Sequence, residues 1–112
     1  MMLFGSDEYN PPEVLSHFDE FANGCVEYNR FKGDVFSLGV LLFVMVLGLA
    51  PFRSARQSDP YYMRLSEAPQ NFWKIFREYR LTDEFRILIE AMTARNPEDR
   101  YTLADVKSSP WV

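Results

Sequence analysis

The chain has 112 residues, of which 47% are hydrophobic, 16% aromatic and 25% charged, and its net charge is −4. That length suits one domain, and so rich an aromatic content argues against disorder. An acidic chain without a Lys/Arg cluster is a poor nucleic-acid binder, because phosphate binding rests on positive charge.

Residues Met1 to Asn10 read as loop, without the basic start or long apolar run of a secretory signal. Pro11-Pro12-Glu13-Val14-Leu15 predicts a short helix opened by proline, which the first turn tolerates. Ser16 to Gly33 is a polar connection with a turn signal at Asn23-Gly24. It holds the only histidine, His17, and the only cysteine, Cys25. A lone cysteine allows neither an intramolecular disulfide nor a multi-cysteine metal site, and it fits a reducing compartment such as the cytoplasm. His17 with Asp19 and Glu20 is a thin set of metal ligands, and no metal is expected there.

Val35 to Phe52 carries no charge, with Asp34 before it and Arg53 after it. An uncharged stretch of this length stands at the threshold of a transmembrane helix. Gly48 and Pro51 end the helix near Leu47, however, leaving about 20 Å of helix against a hydrocarbon core of about 30 Å. The reading preferred over a span at 35–52 is a helix apolar all round because it is buried at a domain centre. Asp34 is predicted as its N-cap.

After a polar loop, Asp59-Pro60 pairs an N-cap with a proline at the first helical position, predicting a short helix over Tyr61 to Leu65 that Pro69 breaks. An aromatic cluster, Phe72-Trp73-Lys74-Ile75-Phe76, comes next. Thr82 caps an amphipathic helix in which Phe85, Leu88, Ile89 and Met92 share one face. Asn96-Pro97 opens a turn, and Thr102-x-x-Asp105 is a capping-box start for a last short helix ending before Pro110. No strand alternation and no repeat stands out. The expected fold class is all-α, with four to six helices around a buried apolar helix.

The order of motifs resembles one family. Gly5-Ser6-x-x-Tyr9-x-Pro11-Pro12-Glu13 is similar to the Gly-Thr-x-x-Tyr-x-Ala-Pro-Glu segment of protein kinases. Gly33-Asp34-Val35-Phe36-Ser37-Leu38-Gly39 resembles the start of the central helix in the kinase helical lobe, and Gly48-Leu49-Ala50-Pro51-Phe52 resembles its end. Asn96-Pro97-Glu98-Asp99-Arg100-Tyr101-Thr102 and Ser109-Pro110-Trp111-Val112 resemble the last two motifs of the domain. The resemblance covers almost the whole chain, favours the serine/threonine branch, and implies that residues 1–112 are the C-terminal half of the helical lobe. Pro11 for Ala, Phe36 for Trp and Ser109 for His depart from the pattern, and the connection from Leu15 to Asp34 is somewhat long.

The resemblance also implies roles. Glu13 and Arg100 would form a buried ion pair; otherwise they are two surface charges far apart in sequence. Asp34 would reach toward the catalytic loop, which is missing here, leaving it a helix cap. Gly5, Ser6 and Tyr9 would be the remnant of the loop that meets the substrate. Tyr61, Tyr62, Phe72, Trp73 and Phe76 would be either a protein-docking surface or core aromatics. A complete kinase holds ATP and Mg²⁺ with a Gly-rich loop, a strand Lys, a His-Arg-Asp loop and an Asp-Phe-Gly. None of these motifs occurs in the 112 residues. No catalytic residue, cofactor or metal is therefore expected in this chain, and alone it should be inactive. The alternatives are a non-catalytic protein-binding remnant and a small membrane-anchored protein. Loss of the preceding helices should also expose apolar surface around Val40 to Leu47.

Overall fold

The computed structural model describes residues 11–13 and 30–112. Among them the fold is all-α. Helix α1 spans Arg30–Leu47, α2 Pro60–Glu67, α3 Pro69–Ile75, a 3-10 turn Arg77–Tyr79, α4 Asp83–Met92 and α5 Leu103–Lys107. Pro12 and Glu13 are helical as well.

Helix α1 starts at Arg30, more than a turn before the predicted start. Asp34 therefore lies inside the helix and is not its N-cap. The cause is tertiary. The Lys32 ammonium donates to the Arg100 carbonyl at 2.6 Å, and the Lys32 carbonyl accepts from Arg100 Nη1 at 2.9 Å. Ser37 Oγ donates back to the Gly33 carbonyl at 3.2 Å. These bonds keep residues 30–34 helical although a glycine inside a helix costs about 1 kcal/mol against alanine. At the other end Gly48 adopts φ +82°, and its N–H donates to the Val44 carbonyl at 2.8 Å. A left-handed residue closes the helix there, and glycine takes that conformation without steric cost. Among the described residues, no helix is long and apolar enough to cross a membrane.

Helix α4 crosses α1 at Gly39. A Cβ on Gly39 would lie 2.8 Å from Met92 Cβ and 3.1 Å from Thr93 Cγ2. The bare backbone thus sets how closely the two helices approach. Phe85, Leu88, Ile89 and Met92 are all buried, so the predicted face of α4 is its packing face. Val35, Leu88 and Met92 form one small cluster with Tyr101 and Val106 against it.

The main core is an aromatic seam. Phe43 of α1 meets Phe72, Trp73 and Phe76 with ring centroids 5.9, 6.2 and 5.3 Å apart. Phe52 continues the seam to Phe36 and to Tyr62, at 6.1 and 5.2 Å. The reading of Tyr61, Tyr62, Phe72, Trp73 and Phe76 as a docking surface is corrected here. Four of the five are buried, and Tyr61 alone is exposed. Helix α2 turns into α3 at Ala68-Pro69, which folds the cluster inward onto Phe43 instead of outward. Burial pushes the Tyr62 phenol above its ordinary range, and the Arg95 guanidinium over its ring partly opposes that shift.

Asp59 holds the connection together. Its Oδ1 accepts from the Tyr61 and Tyr62 N–H groups at 2.9 and 3.1 Å, which is the predicted cap. Its Oδ2 accepts from Arg53 and Ser54 N–H at 2.8 and 3.1 Å, which ties the preceding loop to the same side chain. Thr102 and Asp105 form the predicted capping box of α5, and the hydrogen bonds from Thr102 hold the Asp105 carboxyl below its usual range. Trp111 closes on Phe85, with centroids 5.2 Å apart.

Candidate functional site

The most highly connected side chain among the described residues is Arg100, whose side chain is 0% exposed. A buried guanidinium is costly unless its five N–H donors are met. Here they are. Nη1 donates to Glu13 Oε2 at 2.8 Å and to the Lys32 carbonyl at 2.9 Å. Nη2 donates to Glu13 Oε1 at 2.8 Å and to the Arg95 carbonyl at 3.3 Å, and Nε donates to the Ala94 carbonyl at 2.9 Å. The guanidinium carbon lies 5.0 Å from the centroid of the Phe36 ring.

The Glu13 pairing is bidentate, a geometry that the planar arginine fork offers and the lysine ammonium does not. The turn from Met92 to Arg100 supplies two carbonyls, the first turn of α1 supplies a third, and Glu13 arrives from the far side. One side chain thus ties the helical turn at Pro12-Glu13, the start of α1 and the 94–101 turn. Chemically this is an anchor: it carries no nucleophile and no proton relay. No group of three His, Cys, Asp or Glu among the described residues could hold a metal ion.

The other sequence-derived site residues fall elsewhere. Gly5, Ser6 and Tyr9 lie outside the described residues, as do His17, Asp19, Glu20 and Cys25. Asp34 is on α1, one turn before Leu38. Two features escaped the sequence reading. Trp73 Nε1 donates to Glu90 Oε2 at 2.7 Å, linking α3 to α4. Beside that link Lys74, Arg77 and Arg80 gather on one groove. Their spacing of three was the available signal, although no contiguous basic run marks it.

Comparison with known proteins agrees with this architecture. The family described as protein kinase domain matches residues 1–112. The chain is 31% identical over 107 residues to the serine/threonine-protein kinase SRK2C of Arabidopsis thaliana, covering 96% of this chain and 29% of the relative. It is 34% identical over 109 residues to the serine/threonine-protein kinase SAPK4 of Oryza sativa subsp. japonica, covering 96% and 28%. It is 31% identical over 112 residues to the serine/threonine-protein kinase ATG1 of Pyricularia oryzae, covering 98% and 10%. The chain thus spans less than a third of the length of these relatives. With an all-helical fold among the described residues and a match over the full chain, this protein belongs to the protein kinase family, in its serine/threonine branch.

Proposed function

We propose that these residues are the C-terminal half of the helical lobe of a serine/threonine protein kinase. The complete protein would act in the cytoplasm, moving the γ-phosphoryl group of ATP to Ser or Thr of protein substrates. The role assigned to this half is mechanical. The Arg100 anchor carries the reading: it clamps the Pro-Glu end of the substrate-facing segment to the helices behind it. Positioning dominates phosphoryl transfer, so a clamp of this kind acts on rate without touching the phosphate. Alone, the 112 residues hold none of the family's ATP or Mg²⁺ motifs and are proposed to be inactive.

The test is calorimetric. Mg²⁺-ATP titrated into the chain is expected to give no binding heat, and a micromolar dissociation constant would overturn the reading. A second role, as a protein-binding unit, is favoured by the exposed stripe of Phe31, Leu38 and Met45 on α1, where we place contact with further protein. Recovery of the chain in a tight complex with the ATP-binding half of a kinase is the outcome that fits both.

A further inference from the structure

Helix α3, the 3-10 turn and α4 enclose a groove of about 690 Å³. That is within the usual span of binding clefts, roughly 300–1,000 Å³. The bond from the Trp73 indole to Glu90 joins its α3 and α4 walls. Lys74, Arg77 and Arg80 line it and are exposed. None of the three forms an ion pair with another described residue. Asp83 pairs with Arg86, while Glu90 accepts from the neutral Trp73 indole and keeps its charge, so Lys74, Arg77, Arg80 and Arg86 face only two carboxylates in the lining. Arg80 directly follows the 3-10 turn as its C-cap. Arg80 has φ 53°, and its left-handed backbone turns the chain back toward α4. On the α4 wall Ile87 is 59% exposed, whereas Phe85, Leu88, Ile89 and Met92 of the same helix are buried.

This concentration of unpaired cations stands on a chain of net charge −4. From it we infer that the groove binds an acidic segment of a partner protein. Carboxylates of that segment pair with Lys74, Arg77 and Arg80, and one of its apolar side chains rests on Ile87. Complementary charge of this sort sets partner choice and speeds encounter. Nucleic acid fits less well, because the remainder of the chain repels a phosphate backbone. The inference goes beyond the kinase reading and does not depend on it, since the groove needs neither ATP nor the anchor.

The experiment is fluorescence anisotropy with the full chain and a labelled peptide of alternating Glu and Leu. Saturable binding is expected, weakening as salt is raised. Arg77→Glu with Arg80→Glu should weaken it about tenfold, and Lys74→Gln alone about threefold, as exposed charge pairs do. Lys107→Glu, on α5 outside the groove, should leave it unchanged. The three groove residues are exposed, so far-UV circular dichroism should be unaltered, and the Lys74→Gln arm stands if the double variant misfolds. Absence of saturable binding overturns the inference. So does equal binding of a Lys-Leu peptide, equal loss in the Lys107 variant, or a single-stranded oligonucleotide that binds more tightly than the acidic peptide.

Discussion

Helix α1 has two faces made of the same kinds of residue and put to opposite use. Phe36, Val40 and Phe43 face inward and are fully buried, while Phe31, Leu38 and Met45 face outward at 77%, 41% and 73% exposure. The outward three recur every seven residues, so they form one stripe along the helix. Hydrophobicity alone does not distinguish the faces, since the helix is apolar all round. What distinguishes them is the partner. The inner face meets the aromatic seam, Gly39's crossing with α4 and the Arg100 guanidinium; the outer stripe meets no such set among the described residues. Apolar surface is therefore a statement about packing demand, and tertiary contacts decide where the demand is met. The exposure expected around Val40 to Leu47 falls on Met45 and Val46, whereas Val40, Phe43 and Leu47 are covered.

The comparison can be broken most severely at the anchor. Arg100→Ala leaves the Glu13 carboxylate and the Ala94, Lys32 and Arg95 carbonyls without their donor. Removing one partner of a buried pair costs about 3–5 kcal/mol. Loss of a cooperative thermal transition is the expected result, and Arg100→Lys should restore little, because a point charge cannot make the fork. A thermal midpoint that does not move would remove the anchor from the account of stability.

The next contrast lies on the two faces themselves. Phe43→Ala opens a cavity among three aromatic rings and should cost about 3–5 kcal/mol in chemical denaturation. Met45→Ala, two residues along, should change stability by less than about 0.5 kcal/mol. It should instead lower self-association, read by sedimentation, because it shrinks the exposed stripe. Equal destabilisation by both changes would mean that the outer face is covered in solution. A smaller effect belongs to the crossing: Gly39→Ala drives a methyl into Met92 and should cost about 1–3 kcal/mol by overpacking, measured as a shift in urea midpoint.

The sequence was most legible where local chemistry decides. Asp59, Thr82 and Thr102 were readable as caps because a short oxygen-bearing side chain before a helical run has few other uses, and each caps its helix here. The face of α4 was readable from its period. Asp34 was misread for the same reason: it has the look of a cap, but Lys32 and Arg100 extend the helix past it through bonds between residues 68 apart. The sequence leaves the burial of Tyr62, Phe72, Trp73 and Phe76 open between surface and core, since a short aromatic run carries no period to orient it. Their inward turn depends on how α2 meets α3 at Pro69. The basic groove has no contiguous signal in the sequence, because its cations gather from separate positions across a turn.

The mildest test of the inner seam is its response to alkali. Tyr62 packs edge-on to Phe52, which packs on Phe36, so it belongs to the inner face of α1 at one remove. Burial raises its phenol above the ordinary tyrosine value of about 10, chiefly by desolvating the phenolate. The folded state therefore holds the proton more tightly than the unfolded state. Linkage then fixes the sign: the stabilisation is complete below the unfolded value of about 10 and is lost as pH rises through the higher folded value. Denaturation midpoints should fall across that alkaline window. Tyr62→Phe keeps the ring in the seam and deletes the titrating group, so its midpoints should fall less over the same range. An identical alkaline slope in the two proteins would show that Tyr62 ionises without leaving its place, and that the seam at this end is wetter than its burial indicates.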